Sequence, residues 1–230
     1  MTRNRGNILF LILLAIVLFA ALAYAVTGGG RVKEDQRVST EKAEAAVGTI
    51  HNYFSLLDNT IQRLRMTNGC KDTQIGFINT VVSGYTGTTG CRIYTAGEGG
   101  VSWQTPDPSW LIPATGSEDT SYGQYFIPYG VQCIPDIGTG ICTGSTGEEK
   151  DLVIGLTYVT DKVCSAYNAK LGIPAPSPSS CYPLGMGALK FNGTYQTSGQ
   201  FTCSSVKGLH TACVPNGNRG NMIYYVLWAR

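Results

Sequence analysis

The chain is poor in charge: Asp, Glu, Lys and Arg make up 14% of its 230 residues, and only two histidines, His51 and His210, are present. From residue 66 onward nine Lys and Arg face ten Asp and Glu, so this part is nearly neutral and has no general attraction for a phosphate backbone. Nucleic acid is therefore not an expected partner. Neither cysteine nor proline occurs in the first 69 residues, and no Cys-x-x-Cys pair occurs anywhere, which argues against a zinc site. P-loop, zincin, kinase and Gly-x-Ser-x-Gly patterns are all missing, and with them the usual local signatures of phosphoryl and acyl transfer. A nucleophile with a histidine base would need His210, but nothing in the sequence supplies the group that orients such a base, so His210 reads as a surface loop residue. We expect no enzymatic activity and no cofactor. Glu148, Glu149 and Asp151 stand close together; oxygen ligands of this kind suit a divalent cation, although a solvated loop is the commoner fate.

What is present begins with eight cysteines, Cys70, Cys91, Cys133, Cys142, Cys164, Cys181, Cys203 and Cys213. An even, widely spaced set suits a disulfide framework in an oxidising compartment. The short intervals 133–142 and 203–213 are the easiest to close, and the order of the other four is open. At 230 residues the chain has room for a membrane segment and one domain of roughly 150 residues.

The chain opens "MTRNRGNILFLILLAIVLFAALAYAVTGGGR". As a helix, residues 8–26 would extend about 28 Å, close to the roughly 30 Å hydrocarbon core of a bilayer. Ala23, Tyr24 and Ala25 form an A-x-A pattern for a secretory peptidase, but the apolar run exceeds the usual 7–15 residues of such signals. A plain anchor is the second reading. Arg3 and Arg5 precede the run while Arg31, Lys33, Arg37 and Lys42 follow it, which by the positive-inside count would retain the remainder in the cytoplasm. The cysteines ask for the opposite side.

A third reading comes from the residues at the junction. A short basic leader ending in Gly6, followed at Asn7 by an apolar helix with no small-residue spacer, resembles the class III signal of type IV pilins and type II secretion pseudopilins. The resemblance implies cleavage between Gly6 and Asn7 by a prepilin peptidase, leaving the apolar helix as anchor and as the contact with other pilin-like subunits. In that family the fifth mature position usually carries Glu; here it is Leu11. A buried carboxylate costs about 2.5–3.5 kcal/mol on insertion scales and has to be paired in assembly. Leu11 removes both the cost and the pairing, which implies a tip-type minor pseudopilin or a pilin-like protein outside a long filament. The blocks "CRIYTAGEGGVSWQTP", "DIGTG", "DLVIGLTYVTDKVCSAYNAKLGI" and "YYVLWAR" are similar, in this order, to uncharacterised bacterial pilin-like membrane proteins.

After Gly28, Gly29 and Gly30, residues 31–65 contain no proline and one glycine. Ala43, Val47, Ile50, Phe54, Leu57, Ile61 and Leu64 alternate steps of four and three, the seam of an amphipathic helix. That seam suits a coiled coil or, more commonly, packing on the chain's own following domain. Asn68 and Gly69 are suited to end it. Each glycine of the triplet weakens a helix by about 1 kcal/mol relative to Ala, so a loosened point is expected there.

All ten prolines and most of the 29 glycines lie beyond residue 68, between short β-branched and aromatic segments, so this part reads as mostly β. Expected strands are 74–82, 91–95, 99–104, 124–128, the neighbourhood of 190–191, and 222–228, the last apolar enough to be central. The segment 151–159 is ambiguous between buried strand and helix, and a helix follows, capped at Thr160 and stopped by Gly172 and Pro174. Trp103 and Trp110 sit on a proline-stiffened stretch, with Tyr122, Tyr125 and Tyr129 following. Such aromatics serve either a recognition platform for a protein or glycan, with Trp103, Trp110, Tyr122 and Tyr125 as candidate contacts, or the core.

The expected architecture is α+β: a long N-terminal helix, transmembrane then amphipathic, packed on an antiparallel, disulfide-braced β-sheet head. Its divisions are a leader at 1–6, a membrane helix at 7–27, an amphipathic stalk at 28–69 and an extracytoplasmic head at 70–230. The expected function is that of a pilin-like or minor pseudopilin-like structural subunit, single-pass in the bacterial inner membrane with its head in the periplasm or outside. The alternative is an anchored or secreted binding, adhesin-like domain with no filament role.

Overall fold

In the computed structural model, residues 6–128, 133–139, 142, 150–174, 190–195 and 206–230 are described, with side chains described for all of these except 6–9, 11, 24–38 and 218. The fold is α+β. Helix α1 runs Gly6–Asn68, strand β1 Leu152–Val159, helix α2 Asp161–Lys170, strand β2 Thr211–Pro215 and strand β3 Asn221–Trp228. The chain divides into two compact units, Met1–Lys42 and Ala43–Arg230, and α1 contributes to both. In the first unit the backbone is helical through the glycine triplet, with no break at the expected loose point.

In the second unit the seam from Ala43 to Leu64 is buried and joins the main core. It therefore packs on the chain's own sheet, as the more common of the two expected fates. Phe54 lies between the rings of Tyr125 and Tyr225, at 5.6 and 5.8 Å. The Tyr53 ring lies tilted against Tyr125, centroids 4.6 Å apart, and its hydroxyl meets that of Tyr94 at 2.9 Å. The helix ends where Gly69 adopts φ +67°, a conformation that favours glycine, and the Cys70 amide turns back to the Leu64 carbonyl.

The sheet has three antiparallel strands in the order β1-β3-β2. Strand β3, the expected 222–228 segment, is central. One face, with Ile154, Leu156, Ile223 and Leu227, lies in the core that contains the α1 seam. The other, with Val153, Met222, Tyr224 and Val226, packs on Phe126, Ile134, Ile137 and Val206. Burial on both faces explains why β1 is a continuous apolar run without alternation, the pattern that reads equally as strand or helix.

Both lateral edges meet other parts of the chain. Beside β1, Phe126 and Gly155 exchange backbone hydrogen bonds of 2.9 and 2.8 Å, and Leu111 bridges Val159. Beside β2, the buried Asn168 of α2 donates from Nδ2 to the Cys213 carbonyl and accepts from the Cys213 amide, each at 2.8 Å. At this residue a side-chain amide makes the two backbone hydrogen bonds that a neighbouring strand would make, and so blunts the middle of the edge.

The expectation of a mostly β head is corrected. Segments 74–82, 91–95, 99–104 and 124–128 are not strands; single bridges at Gly76–Arg92 and Phe126–Gly155 replace them, and Lys190 makes only a bridge to Pro128. Gly84, Gly90, Gly97 and Gly100 all have positive φ, so the chain turns before a ladder can extend. At Gly76 and Gly87 the backbones approach so closely that a Cβ on either would collide with the other's Cα. Strand β2 was absent from the expected set.

Candidate functional site

The expected processing residues Gly6 and Asn7 lie at the start of α1, with side chains outside the described set, and residues 1–5 of the expected leader lie outside the described residues. Beyond them, every large apolar side chain described between residues 10 and 22 is exposed, from 48% at Leu14 to 76% at Phe19. Successive helical residues are offset by about 100°, so Ile12, Leu13, Leu14, Val17, Leu18 and Phe19 point in all directions around the axis. Unlike the 43–64 seam, this stretch has no polar side. Among the described residues no helix is long and apolar enough to cross a membrane. The described run 12–23 is shorter than the about 20 residues a bilayer requires, and the other positions of the expected 7–27 span, Phe10 apart, have undescribed side chains.

Six cysteines form three disulfides, Cys70–Cys91, Cys133–Cys142 and Cys164–Cys213. The close pair 133–142 is as expected. The pairing of Cys203 with Cys213 is corrected: Cys213 is on β2, where Asn168 of α2 already holds its backbone, and that docking brings Cys164 of the same helix to it. Cys181 and Cys203 lie outside the described residues.

The four candidate binding aromatics do not form one surface. Tyr125 is buried against Tyr53 and Phe54. Trp103 is half-buried beside Tyr94 and Tyr85, at 5.2 and 6.5 Å. Trp110 and Tyr122 are half-buried at the far end of β1. There Leu111 points inward while Ile112 between them is 37% exposed, and the Tyr122 hydroxyl donates to the Ile112 carbonyl. Trp110, Ile112 and Tyr122 thus share a ledge beside the ion pair of Arg219 with Asp119, 2.7 Å apart. Beneath them Tyr158 has φ +61°, an uncommon state for a bulky residue, at the irregularity between Leu156 and Val159. Its ring meets Tyr122 edge-on at 5.1 Å. Tyr129 lies outside the described residues.

His210 is exposed. His51 packs against Tyr167 and Tyr225, and burial, with Lys170 nearby, lowers its pKa. Of the acidic trio, Glu148 and Glu149 lie outside the described residues, and Asp151 is buried rather than in a solvated loop. Its Oδ1 accepts from the Arg230 amide at 3.1 Å and its Oδ2 from the Ile134 amide at 3.2 Å. Burial pushes its carboxyl up to about 7 against the pull of these amides and of Arg230 and Lys150. No group of three metal-ligating side chains occurs among the described residues.

Sequence reasoning missed Asn168 and the surroundings of Arg230. Arg230 Nε lies 2.8 Å from Asp72 Oδ2, an ion pair whose angles leave Oδ2 without a formal hydrogen bond, and its guanidinium covers the Tyr195 ring at 4.2 Å. The signal available was the charged pair Lys150-Asp151 directly before the apolar run of β1. No family model, curated protein or solved structure matches the chain.

Proposed function

We infer that this protein is a non-enzymatic, pilin-like structural subunit of an envelope filament or secretion assembly, held in the bacterial inner membrane by the first part of α1. The observation that carries the reading is the helix stretch around residues 10–22, apolar on every side and exposed. A helix of this kind is stable where apolar material surrounds it, in lipid or among like helices. The basic leader ending at Gly6 immediately before it supports processing by a prepilin peptidase, and three disulfides support a head outside the cytoplasm.

Mass spectrometry of the mature chain tests the first step: a start at Asn7 is expected, whereas a start at Val26 removes the anchor and the reading with it. Single cysteines placed along residues 8–26 of the full chain in native membranes test the second. Helix-to-helix adducts recurring on one face are expected of an assembled subunit. Their absence at every position favours the second reading, an anchored recognition domain, for which the ledge of Trp110, Ile112 and Tyr122 over the strained Tyr158 is the specific support.

A further inference from the structure

Around Arg230, four segments distant in sequence meet through one residue. Its amide donates to Asp151 at the start of β1, its Nε faces Asp72 in the turn after α1, and its guanidinium lies on Tyr195. Its carbonyl accepts from the Thr139 amide, inside the loop closed by Cys133–Cys142. Gly138 makes that last approach feasible, since a Cβ there would collide with the Arg230 carbonyl. Asp151 is the second holder of the same loop, because its other oxygen takes the Ile134 amide. Neither Asp151 nor Ile134 is accessible to water.

We propose that Asp151 is a proton-operated clasp, which fastens the disulfide loop 133–139 to the end of β3 under acidic conditions and releases both as the pH rises through neutrality. Among the described residues, the titratable groups facing it are Arg230 beyond β3, its chain neighbour Lys150, and Tyr195, with Asp72 acting on the far side of the Arg230 guanidinium. The cations and the two amides favour the ionised carboxyl and burial opposes it; burial prevails. Opening the clasp hydrates Asp151 and returns it to an ordinary carboxylate. The open form therefore binds fewer protons than the closed form between pH about 4 and pH 7, and by linkage opening becomes easier as pH rises through that window.

Hydrogen exchange of the full chain, corrected for the intrinsic pH dependence of exchange, reads this directly. Between pH 5 and pH 8, protection of peptides covering 133–139 and 226–230 is expected to fall about a hundred-fold, while peptides of α2 show no such slope. Asp151→Asn keeps the shape and one acceptor and is expected to flatten the profile. Equal slopes in wild type and Asp151→Asn, or no slope in the wild type, overturn the proposal. Should the variant not fold, carboxyl NMR of the isotope-labelled wild type decides: a midpoint for Asp151 near 7 supports the clasp, and one below 5 refutes it.

Discussion

At the scale of the residue, structural weight falls on side chains whose partners are remote in sequence. Asn168 satisfies both backbone groups of Cys213, 45 positions away. Removing it leaves a buried N–H and a buried C=O without partners, each costing about 1–3 kcal/mol. Asn168→Ala is expected to destabilise the head by roughly 2–4 kcal/mol, read as a lower urea midpoint with an unchanged slope. A local reading gives Asn168 no such role, because on a ten-residue helix an amide is ordinarily a solvent-side residue. Asp151 was visible only as a member of an acidic trio; its separation from that trio depends on Ile134 and Arg230, which fold onto it from both directions along the chain.

The elements were legible in proportion to how local their code is. The seam of α1 repeats within three or four residues, so its inward face could be named from the chain, and all seven of its residues are buried. Helix α2 carries its stop signal at Gly172, φ +66°, and was legible for the same reason. The head's remaining backbone was not. Apolar segments broken by glycine look like hairpin strands, yet here they form isolated bridges at most and turn away, because the pairing partner is chosen by tertiary packing rather than by neighbours. Strand β2 is five residues ending in Pro215, too short to show alternation, though the glycines at 217 and 220 mark its hairpin with β3. The two sides of α1 should respond very differently to truncation. Phe54→Ala, at a buried site between two tyrosines, is expected to cost about 3–5 kcal/mol. Leu56→Ala, at a side chain 45% exposed, should stay within about 0.5 kcal/mol of wild type. Paired denaturation curves check the contrast, and a large loss at Leu56 would mean that the outer side of the helix is covered in solution.

At the scale of the whole molecule, the head has three strands among its described residues, and its disulfides take up part of the task of holding it. They close intervals of 21, 9 and 49 residues and tie, respectively, the end of α1 to the segment after it, the loop beneath Asp151 to itself, and α2 to β2. Chain-entropy arguments rank their value by loop length, at about 3, 2.5 and 4 kcal/mol. On that ranking, replacing Cys164 and Cys213 by serine should lower the melting temperature most, and replacing Cys133 and Cys142 least. The longest bridge also lies beside Asn168, which holds the same residue of β2 by hydrogen bonds, so the two fastenings are coupled. Once Asn168 is gone, α2 can leave the β2 edge except for its sulfur link; without the sulfur link, the amide must dock α2 alone. The triple substitution Cys164→Ser, Cys213→Ser, Asn168→Ala should therefore depart from the sum of its parts by about 0.5–3 kcal/mol. Simple additivity would show instead that α2 is held to the sheet by its buried Val163 and Tyr167, with the bridge acting on the unfolded chain alone.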